Sequence, residues 1–122
     1  MVFFPQYFVM LNAVVEDWFT QALGVSYAHL LGVRRIGLPT VALQTEFRAP
    51  SRMGDTVEFR LQLERLGSRS LTLRVDCMQG QTCCVQIRQT LVTTSLAHDG
   101  AIEIPQDLRD AIARWQSFTG DF

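Results

Sequence analysis

The sequence predicts an α+β fold in which a curved antiparallel sheet wraps around one long central helix. An apolar stretch at helical spacing runs from about 6 to 23. The period then switches to two across four successive segments, and short glycine-containing turns separate them. At 122 residues the chain fits one domain, large enough for a real core and too small for two.

In the helical stretch the apolar positions are Phe8, Leu11, Val14, Val15, Trp18, Ala22 and Leu23, which make a wide apolar face. Pro5 suits a first turn, where its missing N–H costs nothing, and Gly24 supplies a stop. Between Tyr7 and Val15 the helix is apolar on almost every side except at Asn12, so it is expected to be enclosed by other structure. A buried Asn12 amide would then need hydrogen-bond partners.

A loop with Gly32, Gly37 and Pro39 follows, and then Val41, Leu43, Thr45 and Phe47 alternate with Ala42, Gln44, Glu46 and Arg48. This predicts a half-buried strand over about 41–48. Val57, Phe59, Leu61 and Leu63 predict a second over about 56–66, and Leu71, Leu73, Val75 and Cys77 a third over about 69–78. Cys83, Val85, Ile87, Gln89 and Leu91 predict a fourth over about 82–95, with Cys83 toward the core and Cys84 facing the other way. Met53-Gly54-Asp55, Leu66-Gly67-Ser68 and Gln79-Gly80-Gln81 mark the turns, and a short amphipathic helix over about 106–115 follows Pro105. Four strands and one helix leave free sheet edges, so a homodimer or homotetramer is expected.

Eleven basic against 12 acidic residues give a net charge of −1, so nothing in the charge balance suggests an electrostatic nucleic-acid or membrane binder. Glu16 and Asp17 interrupt the first apolar run well short of a membrane span, and no positive region precedes it, so neither a targeting segment nor membrane insertion is expected. Cys77, Cys83 and Cys84 are odd in number, lack CxxC spacing and have only two histidines to join them, which argues against a disulfide framework or a metal site and for a reducing cytoplasm. His29 and His98 have no Gly-x-Ser-x-Gly nucleophile to serve. All 11 basic residues are Arg, whose planar fork suits phosphate or carboxylate, although a composition bias accounts for the same observation.

The run Val2-Phe3-Phe4-Pro5-Gln6-Tyr7-Phe8, the Gly37-Leu38-Pro39 loop, the Ala49-Pro50-Ser51-Arg52-Met53-Gly54-Asp55 turn and the Leu66-Gly67-Ser68-Arg69-Ser70-Leu71 hairpin together resemble the 4-hydroxybenzoyl-CoA thioesterase family of hotdog-fold proteins. The resemblance spans about residues 1–105 and rests on four pieces in the family's order and spacing. It implies hydrolysis of acyl-CoA thioesters at dimer interfaces, with CoA as part of the substrate and neither metal nor cofactor. Non-hydrolytic binding of CoA or an acyl carrier, and an oligomeric assembly module, are the alternatives. The family's catalytic Asp, in an Asp-Pro-Ala-Gly motif behind a first strand, would fall four residues before Met1, which is expected to reflect the assigned start or a trimmed chain, with true loss of the strand and motif as the alternative.

The resemblance assigns the oxyanion donor to the backbone amide of Phe4, where free N–H groups and the positive end of the helix macrodipole coincide. Tyr7 is placed against the acyl group, within an apolar wall of Phe3, Phe4, Phe8 and Met10 that packing would equally explain. Asn12, at the helical depth where another hotdog branch carries its carboxylate, is a candidate to position the attacking water; tying neighbouring backbone across a dimer is the alternative. Arg65 and Arg69 flank the hairpin, Ser68 and Ser70 add hydroxyls, and Arg52 is a further candidate for the CoA phosphates; solvated surface arginines are the alternative. Glu16, Asp17, Glu46 and Asp55 are read as structural or solvated.

Overall fold

The computed structural model describes residues 4–49, 57–118 and 122, with 4–8 and 118 described by backbone alone. Helix α1 (Phe4–Asp17) continues into a π-helical turn, Trp18–Ala22. Leu23 N–H reaches Trp18 C=O at 3.0 Å and Val25 N–H reaches Phe19 C=O at 2.9 Å. The wider turn lets the adjacent Trp18 and Phe19 both be fully buried, which a regular helix, turning about 100° per residue, does not favour. Trp18 meets Phe19 and Trp115 edge-on, at 5.1 and 5.2 Å between ring centroids. Gly24, at φ +70°, ends the segment in the left-handed region.

Helix α2 (Tyr27–Gly32) lies in what the sequence suggested was loop. Ser26 caps it, its hydroxyl accepting the His29 N–H at 3.2 Å. Strand β1 (Ile36–Gly37) leads into β2 (Thr40–Phe47), and β3 (Glu58–Leu66), β4 (Ser70–Gln79) and β5 (Thr82–Val92) complete an antiparallel sheet ordered β2-β5-β4-β3. In a small second sheet the two-residue strand β6 (Thr94–Ser95) pairs with β1 on one side and with β7 (Gly100–Ala101) on the other. The fourth strand thus breaks at the buried Thr93, whose hydroxyl donates to Ile102 C=O at 2.7 Å. Helix α3 (Gln106–Phe118) closes the chain, its start tied to the end of α2 by a bidentate Arg34–Asp107 pair at 2.6 and 3.0 Å.

The inner face of the sheet carries Leu61, Leu71, Leu73, Val75, Cys77, Val85 and Ile87, all fully buried in one core with Leu11, Val15, Trp18 and Phe19. The outer face is polar, with Arg88 paired to Glu64 and Arg74 to Asp76, and with Gln86 bridging Arg48 and Asp76.

Three sequence expectations are corrected. Cys77 opposes Val85 and Met78 opposes Cys83, so Cys84 is an extra residue at a β-bulge. The bulge reverses the alternation: Cys84 is the buried thiol and Cys83 the half-buried one. The helix is not enclosed on all sides; Leu11 and Val15 form its buried stripe, whereas Val9 is 69% exposed and Asn12, Ala13 and Glu16 lie on the open side. The Asn12 side chain is therefore exposed in the single chain, not buried as the apolar run suggested. Finally, β2 is not half-buried: Leu43 and Phe47 share the inner face with Gln89 and Val85 but remain 42% and 57% exposed.

Candidate active site

Helix α1 begins at Phe4, and a helix leaves its first four N–H groups without intrahelical partners. Pro5 has no N–H, so in the first turn the donors are Phe4, Gln6 and Tyr7. They stand at the positive end of the macrodipole with no acidic residue in the first turn to neutralise it. This is an arrangement that can hold a carbonyl oxygen as it gains negative charge.

Asn12 lies eight residues further on, hence roughly 12 Å along the axis and roughly 80° around it. The structure therefore does not bring Phe4 and Asn12 of one chain to a common atom. Asn12 and Val9 instead face outward from the helix. The side chain of Tyr7, and Arg52 with the turn at 50–55, lie outside the described residues.

The β3–β4 hairpin is held by its backbone. Gly67 N–H donates to Ser70 C=O at 2.8 Å, and the Arg109 guanidinium donates to Gly67 and Ser68 C=O at 2.8 and 3.3 Å. Ile104 N–H donates to Ser68 C=O at 2.9 Å, and Thr93 N–H to Arg69 C=O at 3.0 Å. A β-carbon at Gly67 would come within 3.2 Å of the Ser70 hydroxyl, so the tight turn keeps that position small. The anchored loop presents the side chains of Ser68 and Arg69 to solvent, with Ser70 half-buried behind them. Arg65 is placed differently. It opposes Thr72 on the outer face and lines a depression of about 370 Å³ with Glu64, Arg88 and Thr90.

Gln89 is the polar member of the inward row Val85, Ile87, Gln89, Leu91, and a period-two pattern alone gives it no role beyond the strand. Its amide donates to the Thr40 hydroxyl at 2.7 Å, and its carbonyl is buried without a partner. Burial pushes the Cys77 thiol up to about 11, which leaves it protonated and inert at neutral pH. No group of His, Cys, Asp and Glu among the described residues could hold a metal. Among the described residues, neither His29, on α2, nor His98, beyond β6, makes a ring hydrogen bond to a serine or cysteine.

A curved antiparallel sheet with one long helix packed on its inner face is the architecture of hotdog thioesterases. The chain belongs to the thioesterase-like superfamily, whose family model matches residues 2–112. Among solved structures it is similar to the hypothetical protein TT1821 from Thermus thermophilus, at 30% identity over 93% of this chain and 85% of that one, with a TM-score of 0.81. It shares its fold with a 1,4-dihydroxy-2-naphthoyl-CoA thioesterase from Synechocystis, at 21% identity over 92% and 82% of the two chains and a TM-score of 0.80. A hypothetical protein from Staphylococcus aureus solved in complex with CoA shares it too, at 14% identity over 95% and 73% and a TM-score of 0.84. No curated protein sequence matches.

Proposed function

We propose that the protein hydrolyses acyl-CoA thioesters to a free acid and CoA, at a site where α1 of one subunit begins and a second copy presents Asn12. The observation that carries this is the unneutralised opening turn of α1, with Phe4 N–H as its leading donor, in a chain of the thioesterase-like superfamily. The thioester oxygen accepts from Phe4 N–H, and the charge it gains as water adds to the carbonyl carbon is stabilised by that amide and the helix dipole. The C–S bond then breaks, the thiolate takes up one of the water's two protons, and the acid leaves as carboxylate with the other proton passing to solvent. Thioester and water balance the reaction without metal or cofactor.

Asn12 orients the attacking water. Because it stands about 12 Å from Phe4 on its own helix, it acts on the carbonyl held by the other subunit. The exposed strip of Val9, Asn12 and Ala13 gives that second copy its surface, so the working unit is a homodimer or a tetramer of such dimers. Arg69 with Ser68 and Ser70 receives the CoA phosphates, and Arg65 is a second cation for them. A cytoplasmic pool of CoA thioesters is the setting this chemistry needs.

Binding of CoA without hydrolysis is a second reading, favoured by the lack of any acidic residue between Phe4 and Val15. Thiol release from a panel of acyl-CoAs, followed with DTNB, separates the two when calorimetric CoA binding is measured alongside. Hydrolysis is expected. Binding without release would leave the second reading standing, and neither binding nor release would remove both.

A further inference from the structure

Along β5 the inward residues Val85, Ile87 and Leu91 are buried and apolar, and Gln89 interrupts them at 3% exposure. Its Nε2 is committed to the Thr40 hydroxyl at 2.7 Å, which fixes the amide and aims Oε1 away from that contact. Oε1 is buried and accepts nothing. An orphaned acceptor in a core is costly, and an apolar residue of similar size would remove the cost, so its presence calls for a use outside the free fold. Access is one-sided. On the β4 side Gln89 is flanked by the fully buried Leu73, whereas its β2 neighbour on the same face is Leu43, which is 42% exposed. Leu43 thus leaves the inner face of β2 open directly beside Gln89.

We propose that Gln89 is a specificity residue: its side-chain carbonyl accepts a hydrogen bond from a hydroxyl or amide carried by the acyl group of a substrate lying along the inner wall of β2. This rests on the thioesterase reading above. The free protein carries the unmet acceptor, and the matching acyl group satisfies it on binding. An unsubstituted acyl group of the same shape leaves it orphaned, which is how a buried polar site rejects an analogue that lacks the partner group.

The test compares matched acyl-CoA pairs, aromatic and aliphatic, that differ by one hydroxyl, using kcat/KM for hydrolysis and Kd for binding in the wild type and in Gln89→Met. The wild type should prefer the hydroxylated member, and Gln89→Met should lower that preference about tenfold, one hydrogen bond's worth. The thermal midpoint of ligand-free Gln89→Met should equal or exceed the wild type's, because Thr40 is exposed and recovers its partner from water. A purely structural Gln89 would lower the midpoint and leave the preference alone. If Gln89→Met does not fold, Thr40→Val unfastens the amide and should blunt the same preference. A wild type that hydrolyses both members of every pair equally, or a preference that survives both variants, overturns the specificity role while the thioesterase reading stands. A wild type that neither binds nor hydrolyses any thioester removes both.

Discussion

Cys83 and Cys84 are neighbours with opposite surroundings, because the bulge opposite Cys77 and Met78 turns Cys84 into the core and leaves Cys83 half-buried. Iodoacetamide at pH 8 should therefore label Cys83 first, with Cys77 and Cys84 protected until the fold opens; mass-spectrometric mapping of the adducts checks this, and early labelling of Cys84 would contradict the register. Arg69 stands on a loop whose carbonyls are already satisfied, so its guanidinium is free for phosphate. Arg69→Ala should raise the Kd for CoA and flatten its dependence on salt, since exposed ion pairs are screened over about 10 Å at 0.1 M salt. Side-chain types and their grouping at the hairpin were legible in the sequence. The facing of Cys83 and Cys84 was not, because an alternation rule cannot see a single inserted residue.

For the secondary-structure elements, the sheet strands declared themselves through period-two patterns, and their inward rows are the core. Leu73→Ala in that row should cost about 2–5 kcal/mol of stability in a denaturant titration, as truncations in fully buried sites do. Helix α2, six residues long, was hidden because so short a segment shows no period, although Ser26 three residues before His29 was a readable cap. The small β1-β6-β7 sheet has two residues per strand and no pattern at all. For α1 and β2 the pattern told which side is apolar and could not tell what covers it. Val9 is apolar and exposed in the single chain, and the enclosure expected of it is supplied in the proposed dimer by a second subunit, whereas Leu43 stays open beside Gln89. Val9→Asp should accordingly lower the mass measured by light scattering toward that of one chain; an unchanged mass would place the interface elsewhere.

Across the whole molecule, α3 is fastened to the rest of the fold at both ends of its first turns, by Arg34–Asp107 and by Arg109 on the hairpin carbonyls. The hydrogen bond from Arg34 holds the Asp107 carboxyl below the ordinary carboxylate range. Its stabilisation is thus present at neutral pH and is lost as acid protonates Asp107 below that range. Asp107 is 59% exposed, so Asp107→Asn should cost no more than about 1 kcal/mol at neutral pH, and the gap from the wild type should close in acid. The larger question at this scale is whether one catalytic site is built from two chains. The separation of Phe4 and Asn12 along α1 requires it if both act on one carbonyl.

Subunit mixing tests this most directly. Phe4→Pro removes the oxyanion amide and Asn12→Ala the water-positioning group, and each homodimer should be nearly inactive in thioester hydrolysis. Refolding the two together in equal amounts makes half the dimers mixed, each with one intact site, so activity should return to about a quarter of the wild type's. A mixture as inactive as its parents, from a wild type that does hydrolyse acyl-CoA, would contradict a site shared between copies; a wild type that releases no CoA would contradict the account as a whole.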